Sequence, residues 1–186
     1  WQRDVEQSRQ AAKPHAQEEP RRPSESVPSD IGRSPHLDGM SFGTISVRDG
    51  DSMSGIARRK YGQASYTILD LLKLANPDLR DIDVISVGQT IRLPDLGEGF
   101  PVLTDGAGHY ALLVYSSPHA ARASSLQSAL RARGFDARVS GGSIGAQKPT
   151  FRVVVAGFSD RTEVANVGKQ LQKLLREDSR ITRLGE

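Results

Sequence analysis

The chain has 186 residues, 37% hydrophobic and 25% charged, with 5 Phe, 4 Tyr, 1 Trp and no Cys. That length allows one or two domains, and so few aromatic residues argue against one large aromatic core. The lack of cysteine excludes disulfides, thiolate zinc sites, iron–sulfur clusters and thiol nucleophiles. The longest apolar run, residues 110–115, is far below the roughly 18 residues that span a bilayer, and no signal peptide is read. Opening on Trp1, the chain reads as a mature product or as part of something longer. The net charge of +3 is unevenly spread. Residues 1–43 and 44–100 each carry one more acid than base, whereas residues 101–186 carry 12 basic and 7 acidic side chains. The basic excess of the C-terminal half suits an anionic partner or a solvated Arg-rich surface. It lacks the interleaved aromatics of a nucleic-acid surface.

Residues 1–43 contain Pro14, Pro20, Pro23, Pro28 and Pro35 among many Gln, Ser, Glu and Arg, with no apolar period. Such a segment cannot recover its ordering entropy, so a disordered linker is predicted.

From residue 44 the character changes. Residues 44–47 alternate as a short strand, and the Asp49-Gly50-Asp51 turn follows. Ser52 is placed to cap a helix through Tyr61 with Met53, Ile56 and Ala57 inward, stopped at Gly62. Ser65 caps a second helix, 66–75, burying Ile68, Leu71, Leu72 and Ala75. Pro77 ends it by disfavouring helical geometry at Asn76. A loop runs to Gly88, and residues 90–93 form a closing strand before Pro94. The order is βααβ over 44–94, and residues 95–108 read as a second linker.

Residues 109–186 form another unit. A strand over 109–116 precedes a helix over 120–133 with Ala123, Leu126, Ala129 and Leu130 inward. Strands follow at 135–139 and 151–155, separated by a glycine-rich loop, 140–150. A helix capped by Asp160 or Ser159 turns Val164, Val167, Leu171, Leu174 and Leu175 inward, and a last strand falls at 181–184. This βαββαβ order is the ferredoxin-like split motif, an antiparallel sheet with both helices on one face. By alternation, Leu112, Val114, Val153 and Val155 face the helices. Ala111, Leu113, Tyr115, Arg152 and Val154 line the open face. The fold class is therefore α+β.

Motifs that resemble catalytic ones lack their context. Gly141-Gly142-Ser143-Ile144-Gly145 matches G-x-S-x-G, but no helix follows it and no histidine lies beyond His119. Gly106-Ala107-Gly108 leads into a strand where phosphate binding needs a helix N-terminus. His15, His36, His109 and His119 show no ligand spacing, and Asp81 and Asp83 sit in a polar loop. No catalysis, cofactor or metal is predicted.

Two resemblances add to this. Asp49 to Met53 with Ile56-Ala57, Tyr61-Gly62, Asn76-Pro77-Asp78-Leu79 and the run 87–94 resemble a LysM domain across nearly its whole length. The resemblance implies a βααβ module that binds N-acetylglucosamine-containing glycans. The candidate contacts are Gly50, Asp51, Ser52 and Met53 on one loop, and Asn76, Pro77, Asp78, Leu79 and Ile82 on the other. These loops sit where the helix pair begins and ends, so they are expected to converge on one shallow groove. Turn and helix-start amides over an apolar floor suit an acetamido group. Turn shaping and capping by Asn76 and Pro77, and core packing by Met53 and Leu79, are the alternatives.

Residues 109–184 are similar to a SPOR domain: the strand 110–114, the helix leading to Gly134-Phe135, and the run 151–158 with Arg161 and Ala165. That implies binding of glycan strands stripped of stem peptides, with Leu113, Tyr115, Ser116, Arg152 and Val154 as candidate contacts. The face is also apolar enough for a protein contact. The expected protein is a non-catalytic peptidoglycan binder of the periplasm, the exported part of a membrane-anchored protein that meets the membrane only through a missing N-terminal segment. Its alternative is a wall-tethered adaptor docking a secretion or division component. Nucleic acid is not an expected partner, since strand 151–155 lacks paired stacking aromatics.

Overall fold

A computed structural model describes residues 35–97, 99–105 and 107–178. The bulk of the expected disordered arm (1–34) and the strand expected at 181–184 lie outside the described residues.

The first unit pairs β2 (Phe42–Ser46) with β3 (Thr90–Pro94) antiparallel, Ile45 opposite Ile91. Between them come α1 (Met53–Tyr61) and α2 (Tyr66–Ala75). The expected caps are in place: Ser52 Oγ accepts from Gly55 N–H at 3.2 Å and Ser65 Oγ from Ile68 N–H at 3.4 Å. Gly62 ends α1 at φ 77°, a left-handed conformation that a side chain disfavours. The core collects Val47, Met53, Ile56, Ala57, Ile68, Leu72, Ile91 and Leu93.

Asn76 fastens the end of α2 to β3. Its amide donates to Leu72 O at 2.7 Å and Arg92 O at 2.9 Å, and its oxygen accepts from Arg92 N–H at 2.8 Å. Asn76→Ala leaves the Arg92 N–H and C=O without these partners, each costing about 1–3 kcal/mol, while Leu72 O keeps its bond from the residue-76 N–H. A loss of about 3 kcal/mol in urea-monitored unfolding is expected.

The second unit is a five-stranded antiparallel sheet in the order β1 (His36–Leu37), β4 (Val102–Thr104), β5 (Tyr110–Ser117), β7 (Lys148–Phe158), β6 (Ala137–Gly145). Helices α3 (Ala120–Arg131) and α4 (Arg161–Glu177) cover one face, with Leu112, Leu126, Leu130, Val153, Val155, Val164 and Leu171 as its core. Asp160 caps α4 by accepting from Thr162 N–H at 2.8 Å.

Four features of the strands depart from the sequence reading. His36 and Leu37, read as part of a linker, pair with Thr104 and Leu103. The second presumed linker supplies β4, whose Leu103 is buried. The presumed loop 140–150 is mostly ladder: β6 runs to Gly145 and β7 starts at Lys148, leaving a two-residue turn. Finally, Tyr115 lies on the helix-covered face rather than the opposite one. Its register explains why: Leu113 pairs with Val154 and Tyr115 with Val153, so Val114 is an extra residue. A bulge of one residue inverts the facing of everything after it.

The sheet face away from α3 and α4, expected to lie open, is covered by α2. Leu71 packs with Leu103, Ala111, Leu113 and Val154. Helix α2 is thus held between the β2–β3 ribbon with α1 on one side and the five-stranded sheet on the other.

Candidate functional site

The loop leading into α1 is shaped by Asp51. Its carboxylate accepts from Arg48 N–H at 2.9 Å and from Arg59 Nη2 at 2.7 Å. Those two interactions, the backbone bond first, hold the carboxyl below its ordinary 3.8. Of the candidate residues here, Gly50 and Ser52 are exposed and Met53 is buried. On the opposite loop, Pro77 and Asp78 are exposed, whereas Asn76, Leu79 and Ile82 are buried. Met53, Leu79 and Ile82 belong to one apolar cluster, so the two loops share the floor on which they stand. Only residues 62–65 join the helices, so the start of α1 and the end of α2 both lie away from that turn. The arrangement offers exposed turn backbone, a helix start whose leading N–H groups lack intrahelical partners, and an apolar layer beneath.

The second loop is held from outside its own unit. Asp81 accepts from Asp83 N–H at 2.9 Å and from Ala146 N–H, on the turn between β6 and β7, at 2.8 Å. These bonds, in that order, lower its pKa from 3.8. Lys148 forms an ion pair with Asp83, whose hydrogen bond raises the lysine's pKa. Both aspartates, 51 and 81, therefore keep full charge from pH 7 to 5. Their bonds, formed by the ionised carboxylate, weaken only as pH falls through pKa values below 3.8. Carboxyl carbon NMR is expected to give midpoints below 3.8 for both, with loop amide shifts constant between pH 7 and 5.

The candidate residues of the second unit are brought together, but beneath α2. Leu113 and Val154 are 0% and 1% exposed, packed with Leu71. Arg152 is 4% exposed and Asp70 0%. They meet as a bidentate pair, Arg152 Nε to Asp70 Oδ2 at 2.7 Å and Nη2 to Oδ1 at 2.6 Å. Ser116 Oγ adds a third bond to Asp70 Oδ2 at 2.7 Å. Thr67 Oγ1 accepts from Ser116 N–H at 3.0 Å, and Tyr66 OH donates to Pro149 O at 2.7 Å. Tyr115, the fifth candidate, is on the other face of the sheet. Leu113, Ser116, Arg152 and Val154 are thus closed to a ligand in this arrangement, because an apolar sheet face with a buried cation is satisfied by a helix carrying leucine and aspartate.

Asp70, Thr67 and Ile144 matter to this architecture and were not singled out as site residues from the sequence. The available signal was α2 itself: Ile68, Leu69, Leu71, Leu72 and Leu74 spread beyond the single apolar stripe that a helix packed on one side needs. Ser143, the serine of the hydrolase-like pattern, lies in β6 with its hydroxyl tied to Gly145, donating to its carbonyl at 2.6 Å.

A βααβ unit with two loops over an apolar floor is joined here to an antiparallel βαββα sheet unit. Residues 45–94 match the family model of the LysM domain, and residues 106–179 that of the SPOR domain. The chain carries a LysM domain followed by a SPOR domain, both peptidoglycan-binding modules, so cell-wall binding in the envelope is its general role. No curated protein and no solved structure matches the chain. Among the described residues, no helix is long and apolar enough to cross a membrane.

Proposed function

We propose that the chain holds peptidoglycan without turnover, taking N-acetylglucosamine-containing glycan between residues 50–53 and 76–82 of its LysM domain. It thereby anchors or targets a larger periplasmic protein that is itself fixed in the membrane. The observation that supports this most is the shared floor of Met53, Leu79 and Ile82 under the exposed Gly50, Ser52, Pro77 and Asp78. Shallow grooves give few buried contacts, so weak affinity for single fragments is expected.

The SPOR domain is open to a second reading. Binding of strands without stem peptides on Leu113, Ser116, Arg152 and Val154 requires α2 to leave the sheet. Favouring a docking role instead, this face already accommodates a protein helix through an apolar centre and a bidentate ion pair. We read the SPOR domain here as a platform for its own LysM helix, within a wall-tethered adaptor that docks a secretion or division component.

Co-sedimentation with purified peptidoglycan tests the reading. The chain is retained equally on native and amidase-treated material, and Pro77→Arg with Asp78→Arg, both exposed, abolishes retention while circular dichroism is unchanged. Retention unaffected by that double change contradicts the groove. Retention confined to amidase-treated material returns glycan binding to the SPOR sheet.

A further inference from the structure

The hairpin of β6 and β7 belongs to the SPOR domain, yet its tip is built into the LysM domain. Ile144 is 1% exposed and lies in the same apolar cluster as Met53, Leu79 and Ile82. Its carbonyl accepts from Ile82 N–H at 2.9 Å. Two residues on, Ala146 N–H donates to Asp81 at 2.8 Å, and Lys148 pairs with Asp83. Between them, Gly145 is buried against the Asp81 carboxylate, which a Cβ at this position would have to push aside. Three consecutive positions, Asp81, Ile82 and Asp83, are therefore each held by a different hairpin residue.

We propose that this hairpin is a positioning element of the LysM glycan groove, with Ile144, Gly145 and Lys148 setting the conformation of residues 81–83 and, through Leu79 and Ile82, the groove's affinity. The inference rests on the groove reading above and adds its control by the second domain. Residues 76–89 cross between α2 and β3 without regular structure, held internally by single turn bonds such as Leu79 N–H to Asn76 O and Val84 N–H to Asp81 O. The ends of the loop are fastened within the LysM domain, at Asn76 to Arg92 and at Gly88 and Gln89 to Val47, so residues 81–83 in its middle are the part that the hairpin bonds fix. A binding wall that is competent only part of the time weakens affinity by that fraction, while ordering it beforehand removes the cost.

The hairpin residues touch the loop from the core side and from its flank, so they act through it rather than on the sugar. The test is made on the whole chain with tetra-N-acetylchitotetraose, followed by NMR titration. Gly145→Ala displaces the Asp81 carboxylate. It is expected to weaken binding about five- to tenfold, as a groove competent one-fifth to one-tenth of the time would, with resting-state shift changes concentrated at residues 79–83. Ile144→Ala gives a loss of the same order and serves if Gly145→Ala does not fold. Leu126→Ala, which removes a core side chain under α3 on the far face of the sheet, lowers thermal stability and leaves the dissociation constant within about twofold. Hairpin variants that fold and bind as tightly as the parent chain overturn the proposal while leaving the groove reading intact. If the parent chain itself does not bind the tetrasaccharide, the groove reading and this proposal fall together.

Discussion

Replacing Asp70 by alanine destabilises the chain by about 3–5 kcal/mol, the usual cost of leaving one member of a buried pair alone. Arg152, 4% exposed in the parent chain, then loses the carboxylate that takes two of its N–H groups. Ser116 loses its acceptor in the same change. The damage lies between two domains, so it has a second signature. In the parent chain, α2 is common to both cores, and urea unfolding is expected as one transition. In Asp70→Ala, the SPOR sheet and the LysM domain separate into two. Removing both charges, as Asp70→Leu with Arg152→Met, restores most of the stability, because a well-packed apolar pair of similar volume commonly equals a buried ion pair. A loss below about 1 kcal/mol for Asp70→Ala, a value ordinary for exposed pairs, contradicts a sealed interface.

The second large effect concerns the apolar part of that interface. Leu113 is fully buried with Leu103, Ala111, Val154 and, from α2, Leu71. Leu113→Ala is expected to cost about 3–5 kcal/mol, since the rigid sheet on one side and the helix on the other limit collapse of the cavity. Leu71→Ala alone costs a similar amount. Together they cost less than their sum, with coupling of about 0.5–3 kcal/mol, because one empty site is shared. Full additivity in urea denaturation contradicts direct packing of α2 on the sheet.

These two effects sit in the part of the architecture least legible beforehand. Three of the four helices carry physical signals at their ends: Ser52, Ser65 and Asp160 as side-chain caps, Gly62 as a left-handed stop, and Pro77 after α2; α3, which has no side-chain cap, was readable from its apolar period. The two loops of the candidate groove followed from those ends. The strands were harder. His36–Leu37 and Val102–Thr104 are two and three residues long, too short for a period of two to stand out. The run Gly141-Gly142-Ser143 looks like a loop by composition, yet it is a strand because β7 pairs with it and Ile144 has a core to enter. Strand preference is largely what a residue packs against. Tyr115 shows the limit of alternation, since the bulge at Val114 is a property of the pairing rather than of either strand.

The covered sheet face was half visible. Its apolar character, with Ala111, Leu113 and Val154, was readable and suited either a ligand or a protein partner. What occupies it depended on recognising that α2 has two apolar sides, one for its own domain and one to spare. An aspartate set among those leucines is costly in any environment except one that supplies a cation, and Arg152 is that cation. The pairing spans 82 positions of sequence, beyond the reach of local pattern.

A nitrogen-15 correlation spectrum of the whole chain, titrated with tetra-N-acetylchitotetraose, addresses the glycan groove directly. The account predicts saturable shifts at Gly50, Asp51, Ser52 and Met53 and at Asn76, Asp78, Leu79 and Ile82, with α3 and α4 unmoved. Shifts confined to the SPOR domain, or a spectrum that does not change at millimolar sugar, contradict it.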